Sequence, residues 1–224
     1  VAGLVACAVL AGCGGESFRW EPTVHVVQSG ETLYAIAWRH GLNHRDLARW
    51  NGLADADLIF PGQRLRLTPV PTSSRSRAAA GTAGAAKTPA PKPLPRTPRG
   101  PEPAWAWPAS GPLLRPFGAS GGLSEGIGIG GRRGDHVRAA AAGEIVYIGS
   151  GLMGYGQLVI IKHNEAYLSA YGHNDKLLVA EGQAVERGQA IARMGLGPDG
   201  QPLLHFELRL NGDPLDPLRH LPQR

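Results

Sequence analysis

The spacing of apolar and polar positions changes several times along the chain, and each change marks an element. "VHVVQSG" (24–30) alternates weakly and ends in a turn, which predicts a short strand. "ETLYAIAWRHG" (31–41) carries Leu33, Ile36 and Ala37 at helical spacing, with Gly41 placed to close the helix. "NHRDLARWNG" (43–52) opens at an Asn43 cap, sets Leu47 and Trp50 on one face and stops at Asn51-Gly52. "LIFPGQRLRL" (58–67) turns at Pro61-Gly62 and continues as a strand with Leu65 and Leu67 on one side. The order strand, helix, helix, strand predicts a small α+β unit over 24–68.

From residue 69 to 107 the pattern disappears. Proline, alanine, serine and basic residues dominate, a composition that cannot bury enough apolar surface to offset its ordering entropy. This stretch is expected to be a disordered linker, reaching on the order of 100 Å at about 3.1 Å per residue. The longer reach would then belong to the C-terminal unit, with residues 24–68 held near the N-terminus.

Patterning returns over 108–222. "GEIVYIG", "GQLVIIKH", "YLSAYGH" and "LLHFELRLNG" are short apolar runs bounded by glycine, and "EGQAVERGQAIARMG" reads as two strands around a Glu-Arg-Gly turn. Many short strands with glycine turns predict a mainly-β sandwich or barrel-like domain. The fold class expected for the whole chain is therefore multidomain, a small α+β unit and a mainly-β unit on either side of a linker.

Composition adds three points. The 224 residues suffice for two small domains and their connectors. A net charge of +5 admits nucleic acid, anionic membrane or an acidic polymer as partner, and charge alone does not choose. The two cysteines, Cys7 and Cys13, both lie in the first segment, so the remaining chain forms no internal disulfide or thiolate metal site. That segment, "VAGLVACAVLAG", is apolar but shorter than the roughly 20 residues a bilayer span needs, and fits the apolar part of a secretion signal. "LAGC" (10–13) resembles the lipobox of bacterial lipoproteins, which implies cleavage before Cys13 and its lipidation. Acyl chains anchor a protein to membrane at about 0.8 kcal/mol per buried CH₂. Gly14 follows the cysteine in place of aspartate, and the resemblance then implies an outer-membrane anchor facing the periplasm.

Residues 24–68 resemble a LysM domain throughout, carried by "VVQSGETLYAIAWRHG", "DLARWNGL" and "IFPGQRLRL". The resemblance implies binding of N-acetylglucosamine-containing glycan such as peptidoglycan. The groove would lie at Gly30, Glu31, Thr32 and Leu33 with Ile59, Phe60 and Pro61. Thr32 reads equally well as a helix cap and Phe60 as a packing residue.

The C-terminal unit resembles the lysostaphin-type zinc metallopeptidases, or LytM domains, through "AAAAGEIVYIG", "GYGQLVIIKH", "YGH" and "PLLHFELRLNGDPLDPL". Active members carry three zinc ligands and two further catalytic histidines. Aligned on Gly126 and Ile129, the histidine of the first motif falls on Ser124 and its aspartate on Gly128. The histidine after Tyr-Gly is present as His173, and the closing His-x-His reads Leu203 and His205. Residues i and i+2 of a strand share a face, so Leu203, His205 and Glu207 are expected together. Two ligands and a catalytic histidine are thus replaced, and neither metal nor cofactor is expected. A relocated site using Asp135, His136 or Glu207 is the weaker alternative, and His163 reads as a hydrogen-bonding residue in or near the core.

Lipobox, LysM, basic linker and degenerate LytM, in that order, resemble the murein hydrolase activators of Gram-negative bacteria. The resemblance implies a protein that is not an enzyme, with peptidoglycan, membrane through its lipid, and a periplasmic N-acetylmuramoyl-L-alanine amidase as partners, and no nucleic acid. The emptied groove near Ser124, Gly128, Tyr171, His173, Leu203 and His205 would carry the amidase contact. An endopeptidase cutting cross-links, or a plain wall-anchoring lipoprotein, are the competing readings.

Overall fold

The computed structural model describes residues 23–54, 58–69, 100–120 and 123–224. The expected signal segment, Cys13 and residues 70–99 of the expected linker lie outside them.

The N-terminal unit follows the expected order. Strand β1 (Val24–Val26) pairs antiparallel with β2 (Arg64–Arg66), setting His25 opposite Leu65. Between them stand helices α1 (Leu33–Arg39) and α2 (His44–Trp50). Each begins where a side chain satisfies a free amide: Thr32 Oγ1 accepts from Ala35 N at 3.1 Å, and Asn43 Oδ1 from Arg45 N at 2.8 Å. The chain enters β2 through a turn at Gly62, whose φ of +85° is open to glycine without steric cost. Val27, Leu33, Ile36, Ala37, Leu47, Leu65 and Leu67 close a small core of their own.

The C-terminal unit is one antiparallel sheet system. Strands β3 (Leu113–Arg115), β4 (Ile127–Gly130), β5 (His136–Arg138), β6 (Gly143–Gly149), β7 (Gln157–Lys162), β8 (Tyr167–Leu177), β9 (Ala184–Val185), β10 (Ala190–Met194), β11 (Leu203–Leu210) and β12 (Asp213–Leu215) follow in the chain. The path across the sheet is β3-β4-β11-β8-β7-β6-β9, with β10 joining β5 to β8 and β12 on β11. Ile127, Ile129, Ile145, Val159, Ile161, Tyr171, Leu204, Phe206 and Leu208 fill the core on one face.

The opposite face is apolar as well, which is why β7 and β8 read as apolar runs rather than clean alternation. Tyr147, Leu158, Ile160, Leu168 and Ala170 point there, and they are covered by Tyr34, Ala35 and Trp38 of α1. The two units are packed together, which corrects the expectation that the C-terminal unit ranges far from the LysM-like one. At the edges of this dock Arg39 Nη2 donates to the Gly151 carbonyl at 3.1 Å, Arg45 pairs with Glu165 at 3.1 Å, and Asn43 Nδ2 meets Asn211 Oδ1 at 3.4 Å. Gly212 passes so close that a Cβ there would lie 2.6 Å from the Leu42 carbonyl carbon.

A second correction concerns the linker boundary. Residues 100–107 belong to the C-terminal unit: Trp105 is buried in its core, edge-on to His163 at 5.0 Å, and Trp107 Nε1 donates to the Pro222 carbonyl at 2.8 Å. The aromatic "WAW" supplies the packing area that the preceding Pro/Ala stretch lacks. Among the described residues no helix is long and apolar enough to cross a membrane.

Candidate functional site

Strand β11 organises the site. Its even positions Leu204, Phe206 and Leu208 enter the core, and its odd positions Leu203, His205, Glu207 and Arg209 share the other face. His205 lies opposite Gly128 of β4 on one side and Gly172 of β8 on the other. The His173 ring centroid lies 6.1 Å from that of His205. A Cβ on Gly128 would sit 3.0 Å from Leu203 Cδ1. The structure therefore gathers His173, His205, Leu203 and Gly128 at one end of the strand face. Ser124 opens elsewhere, onto a cavity of about 710 Å³ shared with Trp38, Arg39, Glu125, Tyr155 and Arg209.

Tyr171 is not in the groove. It is fully buried on the core face beside Phe206, and its hydroxyl accepts from Ala140 N at 2.8 Å. Two residues on, His173 has φ +60°, an uncommon backbone state for a non-glycine residue. That turn breaks the two-residue period of β8 and swings His173 toward His205. Asn174 secures the turn by donating to the Gln157 and Tyr171 carbonyls at 2.8 and 2.6 Å.

His205, Glu207 and Arg209 are almost wholly buried, and they are joined. Glu207 Oε1 accepts from the Tyr155 hydroxyl at 2.7 Å and from His205 Nε2 at 2.8 Å. Glu207 Oε2 accepts from Arg209 Nε at 3.2 Å and Nη2 at 3.1 Å. Arg209 also bonds Glu125, donates from Nη1 to the Trp38 carbonyl at 2.9 Å and stacks 3.9 Å from the Trp38 ring. Trp38 Nε1 donates to Tyr155 at 3.2 Å, closing the circuit. Burial alone would raise the Glu207 carboxyl, but the His205 hydrogen bond and the Arg209 charge outweigh it and hold the group below its usual range. Burial pushes the Tyr155 hydroxyl upward, and the Glu207 charge adds to that. His173 is held down to about 4, first by burial and then by the neighbouring His205 and Arg115.

The donor set at this end is two imidazoles, one with its Nε2 committed to Glu207, beside a glycine and a leucine. Among the described residues no three of His, Cys, Asp or Glu converge as a metal-holding group. Asp135 accepts from Arg132 N at 2.7 Å in a turn and lines a different cavity with His136. His163 bonds Ser169 Oγ at 2.7 Å and the Ala142 carbonyl at 2.8 Å, a structural role.

In the N-terminal unit the expected glycan residues separate. Leu33 is fully buried and can meet no sugar, because its helical spacing places it in the core. Glu31 is engaged at both oxygens, by His25 at 2.7 Å and Gln28 N at 2.9 Å on one, and by Arg39 at 2.6 Å on the other. Thr32 caps α1, and Ile59 packs partly on the core. Gly30 and Pro61 are exposed in turns. Phe60 stands 62% exposed, next to Leu58 at 60%, which the sequence reading missed. With Leu53 and Gln63 they line a shallow apolar cavity of about 480 Å³.

Comparison with known proteins agrees with this architecture. Residues 25–68 match the LysM domain, and residues 122–217 match Peptidase family M23. The chain is 42% identical over 270 aligned positions to the lipoprotein NlpD/LppB homolog of Pseudomonas aeruginosa, covering 99% of this chain and 91% of that one. It belongs to the NlpD/LppB lipoprotein family. It is also 51% identical over 124 positions to the murein hydrolase activator NlpD of Escherichia coli, covering 55% of this chain and 33% of that protein. The antimicrobial peptidase lysostaphin of Staphylococcus simulans aligns over 53% of this chain and 52% of that one, at 26% identity and a TM-score of 0.47.

Proposed function

We propose that the protein is a non-catalytic, peptidoglycan-binding lipoprotein that activates a periplasmic N-acetylmuramoyl-L-alanine amidase, so that septal murein is split and daughter cells separate. The observation that carries this reading is the donor set around His205. Catalytic zinc takes three protein ligands and keeps one position open for water. By the motifs of the peptidases the domain resembles, Ser124 and Gly128 align with two ligands and Leu203 with a catalytic histidine. The residues present do not fit a catalytic zinc. Water without a ligated metal keeps its high pKa and is a poor nucleophile. The relatives named murein hydrolase activators support the same reading.

The amidase contact is then placed over this end of the strand face, around Gly128, His173, Leu203 and His205, which are buried in the closed chain and would meet the partner only where the face opens, while Ser124 belongs to the neighbouring cavity. Tyr171, locked in the core, is excluded. Glycan would lie along Gly30, Glu31, Thr32, Ile59, Phe60 and Pro61, where exposed Phe60 offers a sugar face an apolar floor. Cys13 would carry the lipid that fixes the chain to the outer membrane.

Dye release from labelled murein sacculi tests the function. The chain from Gly14 onward is expected to release no dye alone and to raise release by a purified periplasmic amidase above that of the amidase alone. Release by the chain alone, abolished by a chelator, would establish an endopeptidase and sink the reading.

A further inference from the structure

The dock between the two units lies on the same sheet face as the groove. His205, Glu207 and Arg209 point to one side of β11, and their partners on β8 are Gly172, Ala170 and Leu168. Ala170 and Leu168 are covered by α1 through Tyr34 and Trp38. The helix therefore sits on the continuation of the groove floor, with Trp38 stacked on Arg209, two residues beyond Glu207.

The dock joins two units with separate cores, through buried bonds from Trp38 to Tyr155 and from Arg209 to the Trp38 carbonyl and through exposed bonds at its rim. The LysM unit has a separate core that includes neither Tyr34 nor Trp38, so release does not require it to unfold. The hydrogen bonds at the rim, from Arg39 to Gly151 and from Arg45 to Glu165, are solvent-exposed and worth little each. Between the units a cavity of about 710 Å³ is open beside Ser124 and Met153, and Met153 is 95% exposed. Interfaces between domains of one chain resemble transient protein–protein interfaces, for which relative motion is the default.

We infer that the sheet face under α1 is part of the amidase-binding surface, and that the docked LysM unit is an internal competitor that must leave before the partner can seat. This rests on the groove being the amidase contact. The apparent affinity for a partner that needs the open state is lowered by the fraction of molecules that are open.

The test compares three forms of the chain from Gly14 onward, which contains no cysteine of its own. The first is unaltered. The second carries Trp38→Ala, which removes the main dock contact. The third carries Arg45→Cys and Glu165→Cys, joined across the dock by a short, reducible thiol crosslinker. Amidase stimulation is measured against chain concentration. The crosslinked form is expected to lose stimulation by about tenfold or more and to regain it on reduction, while Trp38→Ala shifts the half-maximal concentration down by the reciprocal of the open fraction. Reversal by reduction shows that the loss is not misfolding. A crosslinked chain that stimulates as well as the unaltered one overturns the inference and leaves the activator reading standing. Loss in Trp38→Ala with full stimulation by the crosslinked form overturns it too, making the docked state the active one. If the unaltered chain never stimulates an amidase, the activator reading itself falls, and the inference with it.

Discussion

The two ends of one strand face have opposite characters. At the Arg209 end the strand's polar groups are answered: guanidinium by Glu207, Glu125 and the Trp38 carbonyl, and Trp38 by Tyr155. At the His205 end Gly128 and Leu203 offer no polar side chain, and His173 stands beside them with no side-chain bond to the network. One chain of hydrogen bonds connects the ends, with Glu207 in the middle. Polar residues on a peptidase-like strand face can thus serve to hold a dock together. A buried carboxylate that answers both a cation and an imidazole is costly to remove and of little use as a base.

The largest effect should come from cutting that link. Glu207→Ala takes the buried carboxylate from Arg209, leaving it only Glu125 and the Trp38 carbonyl, and removes the partner of His205 and Tyr155. Breaking a buried ion pair from one side costs about 3–5 kcal/mol. Urea unfolding of the chain from Gly14 onward should show a loss of this size. A loss below about 1 kcal/mol would mean that water reaches Arg209 and that the two ends are not coupled.

Much of this was legible in the sequence, and the failures have physical causes. The caps at Thr32 and Asn43, and the shared face of Leu203, His205 and Glu207, follow from local rules that tertiary contacts did not disturb. Tyr171 was misplaced because a single left-handed residue, His173, resets the strand's parity, and nothing in "YLSAYGH" announces it. Leu33 posed a conflict between helical period and a position in a family groove, and the period prevailed. The dock was invisible because nothing in the local spacing of α1 or β11 marks Tyr34, Trp38 and Arg209 as contacts between distant segments. Only the pairing of two distant segments reveals that each covers the other.

Acid should loosen both ends by a similar amount. His173 at the groove end and His44 at the dock end are each held down to about 4, from an ordinary 6.5, and burial is the largest cause for both. Below pH 6.5 the unfolded chain binds protons that the folded chain does not, so stability falls as pH drops toward 4. At about 1.4 kcal/mol per unit of separation, each site contributes at most about 3.5 kcal/mol across that window. Glu207, held below its ordinary value, acts in the same direction at lower pH, where its stabilisation is lost as it protonates. His173→Gln and His44→Gln should each flatten the decline of the unfolding midpoint between pH 6.5 and 4. If only His44→Gln flattens it, the groove end is better hydrated than its packing suggests, and the likeness between the ends fails there.

The smallest effect measures how tightly the His205 end has closed. A Cβ on Gly128 would stand 2.9 Å from Arg115 Cβ and 3.0 Å from Leu203 Cδ1. The Leu203 contact is with the tip of a side chain, which can rotate; the Arg115 contact lies next to the backbone of β3, which must shift. Gly128→Ala should therefore cost about 1–2 kcal/mol as overpacking. Adding Leu203→Val should relieve one of the two contacts, so the double variant should lose less than the sum of the singles, as expected for residues that touch. Strict additivity would show that β3 alone resists. The groove end would then be held closed by its edge strand, with Leu203 yielding freely to the added methyl group.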